Sequence, residues 1–122
     1  MIRLKTTWIS SAALLACLNL SACRSAFVQT AIENHTGATV RLVEVDYPSA
    51  SFGTQQIADG GTYQYRFKIL DSGPVKVTFT GGDNTVHTST GPTLKEGEQG
   101  SLTITLESGG KVTWTPQLFS SK

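Results

Sequence analysis

The nine residues TYQYRFKIL, positions 62–70, constrain this chain more than any other stretch. Tyr63, Tyr65, Phe67 and Ile69 alternate with Thr62, Gln64, Arg66 and Lys68. Successive side chains of an extended strand point to opposite faces. The stretch therefore has one apolar and one polar face, which is what a half-buried antiparallel strand requires. A helix would scatter the same residues around its circumference. The alternation returns in VKVTFT (75–80), with Val75, Val77 and Phe79 inward, and in SLTITLE (101–107), with Leu102, Ile104 and Leu106 inward. It returns again in KVTWT (111–115), with Val112 and Trp114 inward. DSGP (71–74), GGDN (81–84) and SGGK (108–111) separate these runs. In such turns glycine supplies positive φ, and Asp or Asn bonds its neighbouring backbone. A shorter strand is read over 85–89.

Nearer the N-terminus, FVQTAIEN (27–34) and ATVRLVEVDY (38–47) flank the turn NHTG (34–37). The second run changes phase: Val40 and Leu42 share one parity, while Val43, Val45 and Tyr47 share the other. Either the strand is buried on both faces there or a bulge near Leu42 flips the pattern; the bulge is the preferred reading. About seven strands at roughly ten-residue spacing, with no helical periodicity, predict an all-β domain. One-faced strands bury themselves by stacking two sheets. The expected fold is a single antiparallel β-sandwich over residues 27–119, with 120–122 as a C-terminal tail. In strand pattern the domain resembles immunoglobulin-like and transthyretin-like domains, but the Cys–Trp–Cys signature of true immunoglobulin domains is absent.

The first 23 residues read differently. Arg3 and Lys5 precede an uncharged run over 6–20, TTWISSAALLACLNL, whose apolar part falls short of the ~20 residues a spanning helix needs. A basic start, a short apolar run and then small residues describe a secretory signal. Its end, LSAC (20–23), resembles the lipobox of bacterial lipoproteins. The resemblance covers residues 1–23. It implies cleavage after residue 22, acylation of Cys23 and anchoring of the domain to a membrane through a tether over 23–26. LLAC, ending at Cys17, competes, but it has bulky Leu15 at −2 and would leave Leu18 and Leu20 on the mature chain. An ordinary signal with a free Cys23 is the third reading. Arg24 follows the cysteine; an Asp there would imply inner-membrane retention in enteric-type lipoproteins. The resemblance thus implies a bacterial envelope location, in the outer membrane, facing the periplasm or the cell surface.

Once residues 1–22 are removed, no cysteine besides Cys23 remains to form a disulfide. Eight Lys and Arg then face nine Asp and Glu. No basic stripe is present, which argues against a nucleic-acid partner. His35 and His87 are the only histidines; one lies in a turn and the other on a polar parity, and both are expected to be solvated rather than metal-bound. No cofactor motif, nucleophile motif or phosphate loop occurs. Glu44 and Asp46 share one strand face, where two outward acids need no catalytic explanation.

Two residues are the candidate contact surface: Tyr47 and Phe52, in YPSASFG (47–53), read as a loop between strands. Phe52 either plugs one end of the sandwich or is offered to a partner, and Phe119 poses the same choice. Residues 24–26 span at most about 10 Å. The domain should therefore ride close to its membrane, with NHTG at the far end and 47–53 at the near end. The expected function is a non-catalytic structural or protein-interaction role in the envelope. The expected partners are the membrane, through acylated Cys23, and an envelope protein or glycan. A ligand-binding module for carbohydrate or another envelope component is the alternative, and an enzyme of unknown type ranks third.

Overall fold

Alternation along the chain becomes eight strands in a computed structural model, which describes residues 26–120. They are β1 (Val28–His35), β2 (Val40–Tyr47), β3 (Ala50–Ile57), β4 (Thr62–Phe67), β5 (Gly73–Thr80), β6 (Val86–Leu94), β7 (Glu98–Glu107) and β8 (Val112–Ser120). One sheet runs in the order β4-β1-β7-β8 and the other β3-β2-β5-β6. The two pack face to face as a β-sandwich. Among the described residues no helix is long and apolar enough to cross a membrane.

The inward faces are those the alternation marks. Val28 and Ile32 of β1, Val75, Val77 and Phe79 of β5, and Leu102, Ile104 and Leu106 of β7 are all buried. Phe67 of β4 and Ile69 just beyond it join the same core. The phase change in β2 is a bulge. Leu42 has φ of 50°, and the pairing of β2 with β5 slips between Arg41 and Glu44. Leu42 is pushed outward, so that Val40 on one side and Val43 and Val45 on the other all reach the core.

Two expectations about the strands need correction. Residues 47–53 are not a loop: only Pro48 and Ser49 separate β2 from β3. β3 pairs with β2 from Tyr47↔Ala50 to Val40↔Ile57. The strand was not legible because its two buried apolar residues, Phe52 and Ile57, stand five apart and so break the two-residue period. They do so where the β2 bulge shifts the facing strand. Nor is every pairing antiparallel. β1 lies parallel to β7, with Val28 aligned to Gly100 and His35 to Glu107. The chain leaves β1 for the other sheet, so β1's neighbour is a distant strand that need not return as a hairpin.

The four sheet edges are managed in pairs. β3 lies alongside β4 and β6 alongside β8, so each side of the sandwich is partly closed. Pro92 in β6 and Pro116 in β8 each remove a backbone donor from an edge strand, which discourages pairing with another chain. Trp114 of β8 seals the second side. Its ring lies directly over Gly91 of β6, where a Cβ would fall inside the indole. Its Nε1 donates to Ser89 Oγ at 3.2 Å. Expected in the core, Trp114 is half-buried at the core's margin instead.

Candidate functional site

β1 starts at one end of the sandwich and finishes at the other, and each later strand reverses the direction of travel. The turns β1–β2, β3–β4, β5–β6 and β7–β8 therefore all emerge at the end away from residue 26. Their sequences are NHTG, ADGG, GGDN and SGGK, so four glycine-bearing turns converge on one surface. The near end receives Pro48–Ser49 and the loops 68–72 and 95–97.

Asn34 organises one half of the far end. Alternation along β1 carries it inward behind Ile32, and it is 0% exposed. Its Nδ2 donates to the carbonyls of Ala38, Ile57 and Ala58, at 2.8, 2.9 and 3.2 Å. Its Oδ1 accepts from Thr36 N–H at 3.0 Å and Thr36 Oγ1 at 2.7 Å. Gly37 N–H donates to Asp59 Oδ1 at 3.1 Å and ties the same two turns together from outside. One buried amide thus fixes the β1–β2 turn against the β3–β4 turn. Sequence reasoning treated NHTG only as a turn. The available signal was parity: Val28, Thr30, Ile32 and Asn34 fall on one face.

The other half is a hollow of about 220 Å³ floored by Gly81, Gly82, Gly109 and Gly110. His87 lines it. The imidazole packs on Phe79, with ring centroids 5.3 Å apart, and Gly110 approaches the ring so closely that a Cβ there would strike it. The expectation that His87 lies on a polar, solvated parity is therefore corrected. It pairs with inward-facing Phe79, and its neighbour Val86 is the exposed one. Asp83 Oδ1 stands 3.9 Å from His87 Nε2. The Asp83 carboxyl is held below the usual carboxylate range, first by the Thr85 N–H, which donates to it at 3.0 Å, and further by the Thr85 hydroxyl and the nearby imidazole. Glu107 at the rim accepts a hydrogen bond from Thr113 Oγ1. This arrangement is a small, glycine-walled recess with one imidazole face and two carboxylates. Among the described residues no three His, Cys, Asp or Glu side chains gather as metal ligands would.

The candidate contact residues occupy the near end. Phe52 is 7% exposed: its ring stacks on Tyr65 at 4.3 Å and 14° and leans on Phe67 at 5.5 Å. Burial removes it from the surface available to a partner, because β3 turns it inward against the open edge of β4. Tyr47 packs on Phe67 at 4.3 Å and keeps one side open. Burial, with a smaller contribution from Tyr65, pushes its phenol up. It lines a second hollow, of about 400 Å³, with Pro48, Pro74 and Lys76. Glu44 faces Thr78 and Asp46 faces Lys76 across β2 and β5. His35 is exposed, 3.4 Å from Glu33. Cys23 and the signal-like segment lie outside the described residues. The chain matches no protein family, no curated protein and no solved structure.

Proposed function

We propose that this chain is a lipid-anchored bacterial envelope protein. It is held through acylated Cys23 and acts without catalysis, as a structural or protein-interaction module. The observation that carries the reading is polarity. The first strand begins at Val28, five positions after Cys23, while four of the five glycine-bearing turns gather at the opposite end. An anchor at Cys23 leaves that surface facing away from the membrane and free to meet an envelope protein. Arg24 in place of Asp after the anchor supports the outer membrane. Two or three acyl chains satisfy the need for more than one chain in stable anchoring.

A photo-crosslinking residue at Asp59 or Lys111, in cells making the full chain, tests the far-end contact. A discrete protein adduct from these positions, lacking from Thr54 in mid-strand, is expected. Equal, diffuse labelling from all three would remove it. A second reading, a glycan-binding module, rests on the hollow beside His87. At about 220 Å³ it is smaller than the ~300–1,000 Å³ typical of ligand pockets, so it would accept one sugar ring edge or a short polar group. Titration with peptidoglycan fragments, followed by amide NMR, supports this reading if Gly81, His87 and Gly110 shift together. If only unrelated positions shift, it fails.

A further inference from the structure

At the near end, where the chain enters β1, large apolar side chains stand exposed. Loop 68–72 crosses it. Ile69 turns inward and is 3% exposed, while Leu70 turns outward and is 60% exposed. The loop is braced on both sides of Leu70: Gly97 N–H donates to the Ile69 carbonyl at 3.1 Å, and Glu96 N–H donates to Ser72 Oγ at 2.9 Å. Leu70 is therefore presented by fixed backbone. On the outer face of the first sheet, β7 carries Gln99 opposite Phe119. One step before Val28↔Gly100 places Phe27 beside the same Gln99. Phe119 is 59% exposed. The Arg66 guanidinium stands 4.4 Å from the Phe27 ring centroid, and Lys68 Nζ 5.8 Å from it.

We infer that this end is a lipid-facing surface, with Leu70 and Phe119 dipping into the headgroup region and Phe27 beside them under its two cations. The inference rests on the anchor reading, because chain length selects the occupant. Three residues, 24–26, separate Cys23 from Phe27 and span at most about 10 Å. A surface held that close meets the bilayer at high effective concentration, so a contact too weak to recruit a free domain still forms. Phe and Leu are among the apolar side chains with which interfacial surfaces enter the boundary between headgroups and acyl chains. The aliphatic stems of Arg66 and Lys68 can lie along apolar surface while their charges stay in water. Asp71, Glu96 and Glu98 share this end with Arg66, Lys68 and Lys95, so charge attraction does not drive the contact. Burial of apolar surface does, and the contact should be insensitive to lipid charge.

The test uses the full chain made in a bacterium, with a photo-crosslinking residue at Leu70, at Phe119 or, at the far end, at Asp59. Phospholipids are labelled with radioactive phosphate, and a parallel culture receives labelled palmitate. Several-fold more phospholipid attached through positions 70 and 119 than through 59 is the expected result. Palmitate on the protein without lipid adducts at 70 and 119, or adducts there to a second copy or another protein, overturns the surface and leaves the anchor standing. Lipid adducts at 70 and 119 in a protein without palmitate keep the surface and overturn the anchor.

Discussion

Asn34→Asp tests how the far end is held together. The substitution preserves shape and keeps an oxygen for Thr36, but it replaces an N–H donor with a carboxylate oxygen. That oxygen faces the carbonyls of Ala38, Ile57 and Ala58. Asn34→Ala removes the two N–H protons shared among these carbonyls and the acceptor of the Thr36 N–H and hydroxyl; about four hydrogen bonds at a net ~1 kcal/mol each put its cost at about 4 kcal/mol. Asn34→Asp should cost more at neutral pH, since an uncompensated buried charge costs about 3–5 kcal/mol. Against a total stability of about 5–15 kcal/mol for a domain of this kind, either loss is large. The charge term has a pH signature. Burial and three facing carbonyls raise the new carboxyl's pKa in the folded state above the ~3.9 of an unfolded Asp. Its stability contribution is therefore fully present below pH ~3.9 and is lost as pH rises through the folded value. The deficit of Asn34→Asp relative to the parent should shrink in acid and grow toward pH 7, while that of Asn34→Ala should stay level. Urea melts of residues 24–122 at several pH values, followed by fluorescence of Trp114, measure both; Trp114 is the sole tryptophan in that segment. An Asn34→Asp variant within about 1 kcal/mol of the parent at pH 7, roughly one such hydrogen bond, would refute the reasoning.

Gly91→Ala drives a methyl into the Trp114 indole and should cost about 2–3 kcal/mol, below the ~3–5 of emptying a large aromatic from a core, because Trp114 is only half-buried. Trp114→Ala should cost a similar amount, and the double variant should be no worse than Trp114→Ala alone, as a shared contact requires. The Asp83 carboxyl, followed by NMR, should titrate below the ordinary ~3.9; Thr85→Pro, which removes the donating N–H, should return it toward that value. The Tyr47 phenol should ionise above the ordinary ~10. Its raised folded pKa means that stability is intact below pH ~10 and declines as pH rises further, a decline that Tyr47→Phe should lessen in alkaline denaturation curves.

Where strands are central and one-faced, their residues were legible. β5 and β7 are flanked on both sides, so inward parity means full burial and the expected core follows. Legibility drops at the edges. Tyr63 and Tyr65 have the inward parity of β4, yet Tyr65 remains exposed because β4 has a sheet neighbour on one side only. β3 was missed for a related reason: Phe52 and Ile57 are its sole buried apolar residues, and the bulge opposite offsets their phase. The Leu42 bulge was visible because both halves of β2 carry enough apolar residues to show the slip. At the far end the turn chemistry was legible but not its convergence, which depends on the number of strands between turns. His87 was misread since its inward direction comes from pairing with Phe79 and from room left by Gly110, neither of which local alternation encodes.

The central claim is that Cys23 holds this domain to a membrane. Mass spectrometry of the mature protein purified from bacterial membranes tests it most directly. The account predicts a chain beginning at Cys23 with diacylglycerol on its sulfur, and no membrane-bound product from Cys23→Ser. A mature chain that begins elsewhere with Cys23 unmodified, or acylation that persists in Cys23→Ser and disappears in Cys17→Ser, would contradict it.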